Sequence, residues 1–210
     1  LTSRLIELFE DKNLVEKIKR RLPYLFQLAE LESSRAGKIG MEVGSVREKV
    51  IVALLIYKFG ESNVETEIPI TEPEVDARLF GKPLSIKTIT GKSFGGVKII
   101  WTVDAQKAKE FSENYYPSCD IFLAQINWDD YGGCYYIPLE VQTKTFGKIG
   151  RANYIKLPKA GTNPRGVEIT KEALVNLVKD EASRNILIHW QRTKIDFNPY
   201  QRWVELWMED

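Results

Sequence analysis

The sequence predicts an α/β or α+β domain: a mixed β-sheet flanked by helices, with further helices added at both ends. Three observations lead there. Apolar residues recur at helical spacing up to Gly60, the period then shortens to two, and helical and strand-like segments alternate to the end. At 210 residues the chain reads as one domain. Within it, residues 1–45 form a helical extension and glycine loop, 46–144 the core, and 145–210 a basic loop and terminal elements.

Leu5, Leu8, Phe9, Val15, Ile18 and Leu22 place an apolar face on a helix over 2–22. Pro23 suits the first turn of a second helix, PYLFQLAELESSR. AGKIGMEVGS (36–45) has three glycines in ten residues and reads as a loop. Ser45 then starts a helix that runs through VIVALLIY (50–57) to a C-cap at Gly60. That apolar run is the longest in the chain. It falls far short of the roughly 20 residues of a membrane span and reads as a buried helix. The first twelve residues are amphipathic and carry acids, unlike a secretory signal.

Beyond Gly60, VETEIPI (64–70), VDARLF (75–80) and PLSIKTI (83–89) alternate as strands, and VKIIWTV (97–103) adds another. Asp104 is placed to cap a helix over 105–115. CDIFLAQINW (119–128) and CYYIPLEVQTK (134–144) read as two central strands joined by DDYGG. Thr170 caps a further helix, NILIHWQ is a strand, and PYQRWVELWMED is a helix with Trp203 and Trp207 on one face. That pair reads as packing, in the core or at a subunit contact.

Hydrophobic residues make up 43% and charged residues 28%, the balance of a soluble domain. Cys119 and Cys134 lack Cys-x-x-Cys spacing and read as buried free thiols of an intracellular, cytoplasmic protein. A single histidine, His189, excludes zinc sites with two histidines and leaves any His-based catalysis to one residue in an apolar run. Net charge is +1, so bulk charge announces no polyanionic partner. The distribution says more. Between Val141 and Val167 there is no acid, while Lys144, Lys148, Arg151, Lys156, Lys159 and Arg165 all lie there. Such a stretch is either a phosphate-binding surface or a solvated basic loop.

The hairpin VDARLFGKPLSIK (75–87) carries the chemistry. With Gly81-Lys82 as turn centre, residue 79 pairs with 84 and Asp76 faces Lys87. Val75, Ala77, Leu79, Leu84 and Ile86 then point to a core, and Asp76, Arg78, Ser85 and Lys87 to the other face. On these residues alone, a cross-strand ion pair on a solvated face is the simpler account of Asp76 and Lys87. Glu48 adds a third group: it shares a helix face with Ile51, Val52 and Leu55, at the head of a buried stripe. Ser45-x-x-Glu48 also has the form of a capping box, which would occupy Glu48 structurally.

Helix Glu48, strand Asp76 (in Pro73-Glu74-Val75-Asp76) and strand Ser85-Ile86-Lys87 resemble, in this order, the PD-(D/E)XK nucleases. The whole chain is similar to the ThaI-type restriction endonucleases. That resemblance implies a homodimeric, Mg²⁺-dependent type II enzyme that cuts double-stranded DNA at CGCG and leaves blunt ends. It implies Asp76 and Glu48 as metal ligands with the carbonyl of Ile86, and Lys87 orienting or deprotonating the attacking water. One departure is Ser85, which stands where the family has an acid. A hydroxyl is a poor Mg²⁺ ligand, so Ser85 becomes a lesser contributor and one ion per site is expected. The alternative is a DNA-binding protein that does not cut.

Asp120, Glu140, Gln142 and Lys144 form a competing acid–lysine set. On the nuclease reading, the six cations of the acid-free stretch contact DNA. So do Arg35 and Lys38, which flank the glycine loop; Met41 at its tip either tucks with Ile39 and Val43 under the following helix or wedges between base pairs from the minor groove.

Overall fold

The computed structural model describes residues 3–35, 38–40, 42–69, 71–102, 104–157 and 166–209. After a 3-10 turn at Arg4–Ile6 come α1 (Glu7–Glu10) and α2 (Lys12–Glu32). A short hairpin, β1 (Ser34–Arg35) and β2 (Lys38–Ile39), leads to α3 (Val43–Phe59), which ends at Gly60 as expected. Then follow β3 (Val64–Glu65), β4 (Ala77–Leu79), β5 (Lys82–Thr90), β6 (Val97–Ile100) and α4 (Ala105–Asn114). The remainder is β7 (Asp120–Ile126), β8 (Asp130–Ile137), α5 (Leu139–Ile149), α6 (Arg151–Tyr154), β9 (Ile155–Lys156), β10 (Val167–Ile169), α7 (Lys171–Lys179), β11 (Arg184–Trp190) and α8 (Gln201–Trp207).

Among the described residues the main sheet has six strands in the order β11-β8-β7-β5-β4-β3. β5 and β7 run parallel and the other neighbours antiparallel, so the sheet is mixed, as predicted. The parallel pair requires a crossover, which β6 and α4 supply. Apolar layers cover both faces. Phe26, Ile51, Leu55, Phe122 and Trp190 lie in one, and Leu123, Ile137, Val141, Tyr154 and Leu174 in the other. Burial on both faces is why β7 is apolar at both parities. β6, β10 and β9 form a second, three-stranded sheet.

Several boundaries differ from the sequence reading. The N-terminal helices break at Asp11 and not at Pro23, which lies inside α2. Asp11 caps α2 by accepting from the Leu14 amide (3.1 Å) and pairs with Lys58 (2.7 Å), while the stripe Leu14, Ile18, Leu22 and Phe26 carries the helix past the proline. Strand 64–70 shortens to Val64–Glu65. Pro138 ends β8 and takes the N-cap position of α5, so 139–144 are helical. Gly132 and Gly133 belong to β8 and not to a loop. A Cβ at Gly132 would sit 2.3 Å from the carbonyl oxygen of Gln125, so only glycine fits there. Residues 144–156 fall in α5, α6 and β9 where a loop was expected.

The hairpin register also differs. Ala77 pairs with Leu84 and Leu79 with Lys82, so the turn is Phe80-Gly81. Both have positive φ (50° and 74°), the requirement of a type I′ turn. Phe80 is unfavourable there, and tertiary contacts offset the cost: its ring meets Phe59 edge-on at 5.8 Å and lies under the Arg4 guanidinium at 4.3 Å. The slip is two residues, an even number, so the predicted faces survive. Ala77, Leu79, Leu84 and Ile86 are all buried in the core.

Candidate active site

Asp76 sits at the mouth of β4, where its amide donates to the carbonyl of Leu84 (2.9 Å). Its Oδ2 accepts from the Ile86 amide (2.6 Å), the Lys87 ammonium (2.8 Å) and the Ser85 hydroxyl (3.3 Å). One carboxylate thus gathers the main chain and both polar side chains of Ser85-Ile86-Lys87. Within a strand a residue's N–H and C=O point to the same side, so the Ile86 carbonyl also faces this edge.

Glu48 projects from the second turn of α3 towards the same point. Helix α3 begins at Val43, two residues before Ser45, and no side chain caps it. Ser45 therefore lies in the first turn, the capping box does not form, and Glu48 is left for the cleft. Burial first, and the Asp76 charge second, push its carboxyl up to about 7, with Lys87 opposing. Glu74 was quoted in the motif but given no role. It is buried and accepts from the Tyr115 hydroxyl (3.0 Å) and the Ser118 hydroxyl (2.8 Å). Burial raises its pKa and those two bonds lower it.

These groups border a cleft of about 860 Å³ whose lining includes Glu42, Ser45, Glu48, Asp76, Lys87, Lys98 and Trp101. The second sheet forms the facing wall. Trp101, 62% exposed, and Lys98 are cleft residues that the sequence reading did not single out. Their signal was available only as an exposed aromatic beside a strand. Arg47, next to Glu48, is held from behind. It pairs with Glu30 and donates to the Thr90 hydroxyl (3.1 Å), and Glu30 also takes the Trp128 indole N–H (2.8 Å) and Arg192 (2.9 Å).

The predicted DNA contacts divide. Lys156 reaches the cleft wall, paired with the cleft residue Glu168 at 3.2 Å. Lys38 is exposed on β2, Lys148 on α5 and Arg151 on α6. Arg151 Nε donates to the Tyr115 carbonyl (3.3 Å). Lys144 pairs with Asp180 (2.8 Å) and lines a separate hollow with Asp120 and Glu140. Acids distant in sequence therefore fold onto the acid-free stretch. Met41, Lys159 and Arg165 lie outside the described residues, as does the side chain of Arg35.

The competing acid–lysine set does not assemble as a strand motif. Gln142 and Lys144 are on α5, Asp120 accepts from the Leu139 amide (2.8 Å), and Gln142 is buried against the Cys119 carbonyl (2.7 Å). His189 is exposed on β11, with its ring 5.0 Å from that of Tyr131. Cys119 and Cys134 are buried and free, as expected. No helix among the described residues is long and apolar enough to cross a membrane.

Comparisons agree on one family. Residues 8–209 match the family model described as "Restriction endonuclease ThaI". The chain is also similar to a solved "Restriction endonuclease in complex with substrate DNA", with 60% identity, a TM-score of 0.92, and coverage of 98% of this chain and 99% of that one. No curated protein matches.

Proposed function

This chain belongs to the ThaI restriction endonuclease family, and from that premise we propose where and how it cuts. The enzyme is a site-specific type II nuclease. In our reading it hydrolyses double-stranded DNA at CGCG, leaves blunt ends, and acts in the cytoplasm as a homodimer of PD-(D/E)XK chains. Its catalytic site is Asp76, Lys87 and Glu48. The observation that carries this reading is the meeting of the Lys87 ammonium and the Asp76 carboxylate, 2.8 Å apart, on the floor of the Glu48 cleft.

The residues fit a divalent cation. Asp76, Glu48 and the Ile86 carbonyl offer the hard oxygen donors that Mg²⁺ prefers. Three carboxyls, Glu48, Glu74 and Asp76, interact here with one ammonium, so added positive charge would relieve their repulsion. Bound Mg²⁺ would supply Lewis-acid charge to the phosphate. The protein's own groups do the rest. Asp76 and Glu48 would hold the cation, while Lys87 orients the attacking water and offsets charge on the phosphoryl oxygens. As water adds to phosphorus, the bond to the leaving oxygen breaks. Lys156 and the exposed cations of α5 and α6 would hold the backbone. The test is plasmid DNA carrying CGCG, with Mg²⁺ and with chelator. Metal-dependent fragments whose sequenced ends are blunt within CGCG support the proposal. DNA that is bound but left intact favours the non-cutting alternative.

Ser85 donates to Asp76, and in this reading it steadies a ligand rather than holding the cation itself. Ser85→Ala should lower the cleavage rate by about tenfold or less, the scale of one long hydrogen bond, here 3.3 Å. A loss comparable to that of Asp76→Ala in single-turnover cleavage would make the hydroxyl a ligand.

Glu48 predicts a pH dependence. Between about 4.5 and about 7 the folded chain keeps a proton that the unfolded chain has lost. Metal-free stability from this group is therefore full below pH 4.5 and is lost as pH rises through 7. After allowance for solvent screening the loss is on the order of 1–2 kcal/mol. Urea unfolding in chelator at pH 5 and pH 8 should show this component in wild type and not in Glu48→Gln. Metal binding should have the opposite slope, tightening as pH rises through 7, because the proton must leave.

A further inference from the structure

The three-stranded sheet turns an apolar face inward. Val97 and Ile99 of β6, Ile155 of β9, and Val167 and Ile169 of β10 are all buried. Strand alternation puts Lys98, Lys156 and Glu168 on the opposite face. Register makes them one row: Glu168, on the central strand, pairs with Lys98 on one side and Lys156 on the other. Side chains so opposed start about 5 Å apart. Lys98 and Glu168 also line the cleft that holds Glu48, Asp76 and Lys87. The row therefore borders the space a duplex must enter to be cut. A carboxylate there opposes every phosphate near it, and Glu168 is not among the groups gathered at Asp76. Two features nevertheless set its position. Lys156 Nζ lies 3.2 Å from Oε2, which offsets the charge and leaves Oε1 for another donor. Gly96 leaves room for the pair, since a Cβ at that position would stand 2.5 Å from Oε2 and 3.2 Å from Lys156 Nζ.

We propose that Glu168 determines specificity: it accepts from the N4 amino group of a cytosine in the major groove, while Lys98 donates to the guanine paired with that cytosine. This rests on the CGCG reading above and says which residues read the site. The chemistry narrows the contact. A carboxylate accepts only, phosphates offer no donor, and the free donors of duplex DNA are amino groups on base edges. In CGCG these are cytosine N4 in the major groove and guanine N2 in the minor groove. Three strands about 4.8 Å apart are too broad for a minor groove roughly 6 Å wide, whereas the major groove, about 12 Å wide, admits a β-ribbon. There N4 stands beside guanine O6 and N7, the acceptors that suit a lysine. Lys98 and Glu168 thus offer a donor and an acceptor side by side, as one C·G pair requires. Lys156 holds the carboxylate and, with three donors, can reach a phosphate as well.

The test measures binding by the full chain in chelator, where the duplex stays whole, to CGCG and to a scrambled duplex. Glu168→Ala should lower the ratio of specific to non-specific affinity at least about tenfold. Non-specific affinity should hold or rise, because a negative charge has left the surface. A residue that only braces the sheet would weaken both alike. Gly96→Ala should lower the same ratio by displacing the carboxylate, and Glu168→Gln, which keeps an acceptor, should retain more of it than Glu168→Ala. In paired N4-methylcytosine the methyl group replaces the amino hydrogen that faces the major groove. Placed at each cytosine of the site in turn, it should weaken wild-type binding at least about tenfold at one position and Glu168→Ala much less there. Equal losses in both proteins at every position, or a ratio that Glu168→Ala leaves unchanged, would overturn the proposal while the CGCG reading stands. Coupling of Glu168 to inosine, which lacks the minor-groove amino group, in place of N4-methylcytosine would overturn it too. A wild type with no preference for CGCG overturns the reading of the site as well.

Discussion

Asp76→Ala is expected to abolish cleavage, by at least about 10³-fold in single-turnover rate, while specific DNA is still bound within severalfold of wild type. The magnitude follows from the geometry. Asp76 organises the Ile86 amide, the Lys87 ammonium and the Ser85 hydroxyl at once, and it is the carboxylate best placed to share a cation with the Ile86 carbonyl. Its loss would remove the proposed cation and the orientation of Lys87 together, effects each worth several kcal/mol of barrier. The binding surface is left in place. Gel-shift and single-turnover cleavage on one duplex separate the two. Asp120→Ala serves as the control, since Asp120 caps α5 and lines a different hollow. If Asp120→Ala loses cleavage and Asp76→Ala does not, the site is misplaced.

The largest stability effect is expected at Glu30. This carboxylate is 3% exposed and receives Arg47, Arg192 and the Trp128 indole. Burial pulls the Arg47 guanidinium below its ordinary range, and Glu30 is what opposes that. Glu30→Leu leaves a buried cation unpaired and should cost about 3–5 kcal/mol. Replacing Glu30 by Leu and Arg47 by Met together should restore much of that loss, because the one cation left without its partner, Arg192, is 42% exposed and reaches water. Urea unfolding reads both. A Glu30→Leu cost under about 1 kcal/mol would mean that water reaches the cluster. The chelated enzyme is used, so that cation binding at neighbouring Glu48 does not enter.

The core faces of the hairpin were legible because strand parity depends only on the sequence. A two-residue slip leaves it unchanged, so Ala77, Leu84 and Ile86 stay inside. The register was not legible, since it rests on Phe80 at positive φ. Its cost is offset by Phe59 and Arg4, remote in sequence. Carried one residue further, the observed register sets Asp76 against Ser85, and Lys87 reaches it diagonally. A long side chain spans that gap, which is why the acid–base pair survived a wrong alignment. Glu74 had no periodic context, and its partners stand 41 and 44 residues away. The charge balance of the acid-free stretch was hidden for the same reason: Glu168 and Asp180 meet two of its lysines only after folding. Residues 139–144 alternate like a strand, but Pro138 both ends β8 and opens a helix.

The central claim is that one site, at Glu48, Asp76 and Ile86, holds the cation that cleavage requires. Fe²⁺ in place of Mg²⁺, with ascorbate and peroxide, cuts the polypeptide close to the bound ion, and mass spectrometry locates the cuts. The account predicts cuts near residues 48, 76 and 86, suppressed by excess Mg²⁺ and absent in Asp76→Ala. Cuts concentrated near residues 120 and 140–144, unchanged in Asp76→Ala, would contradict it.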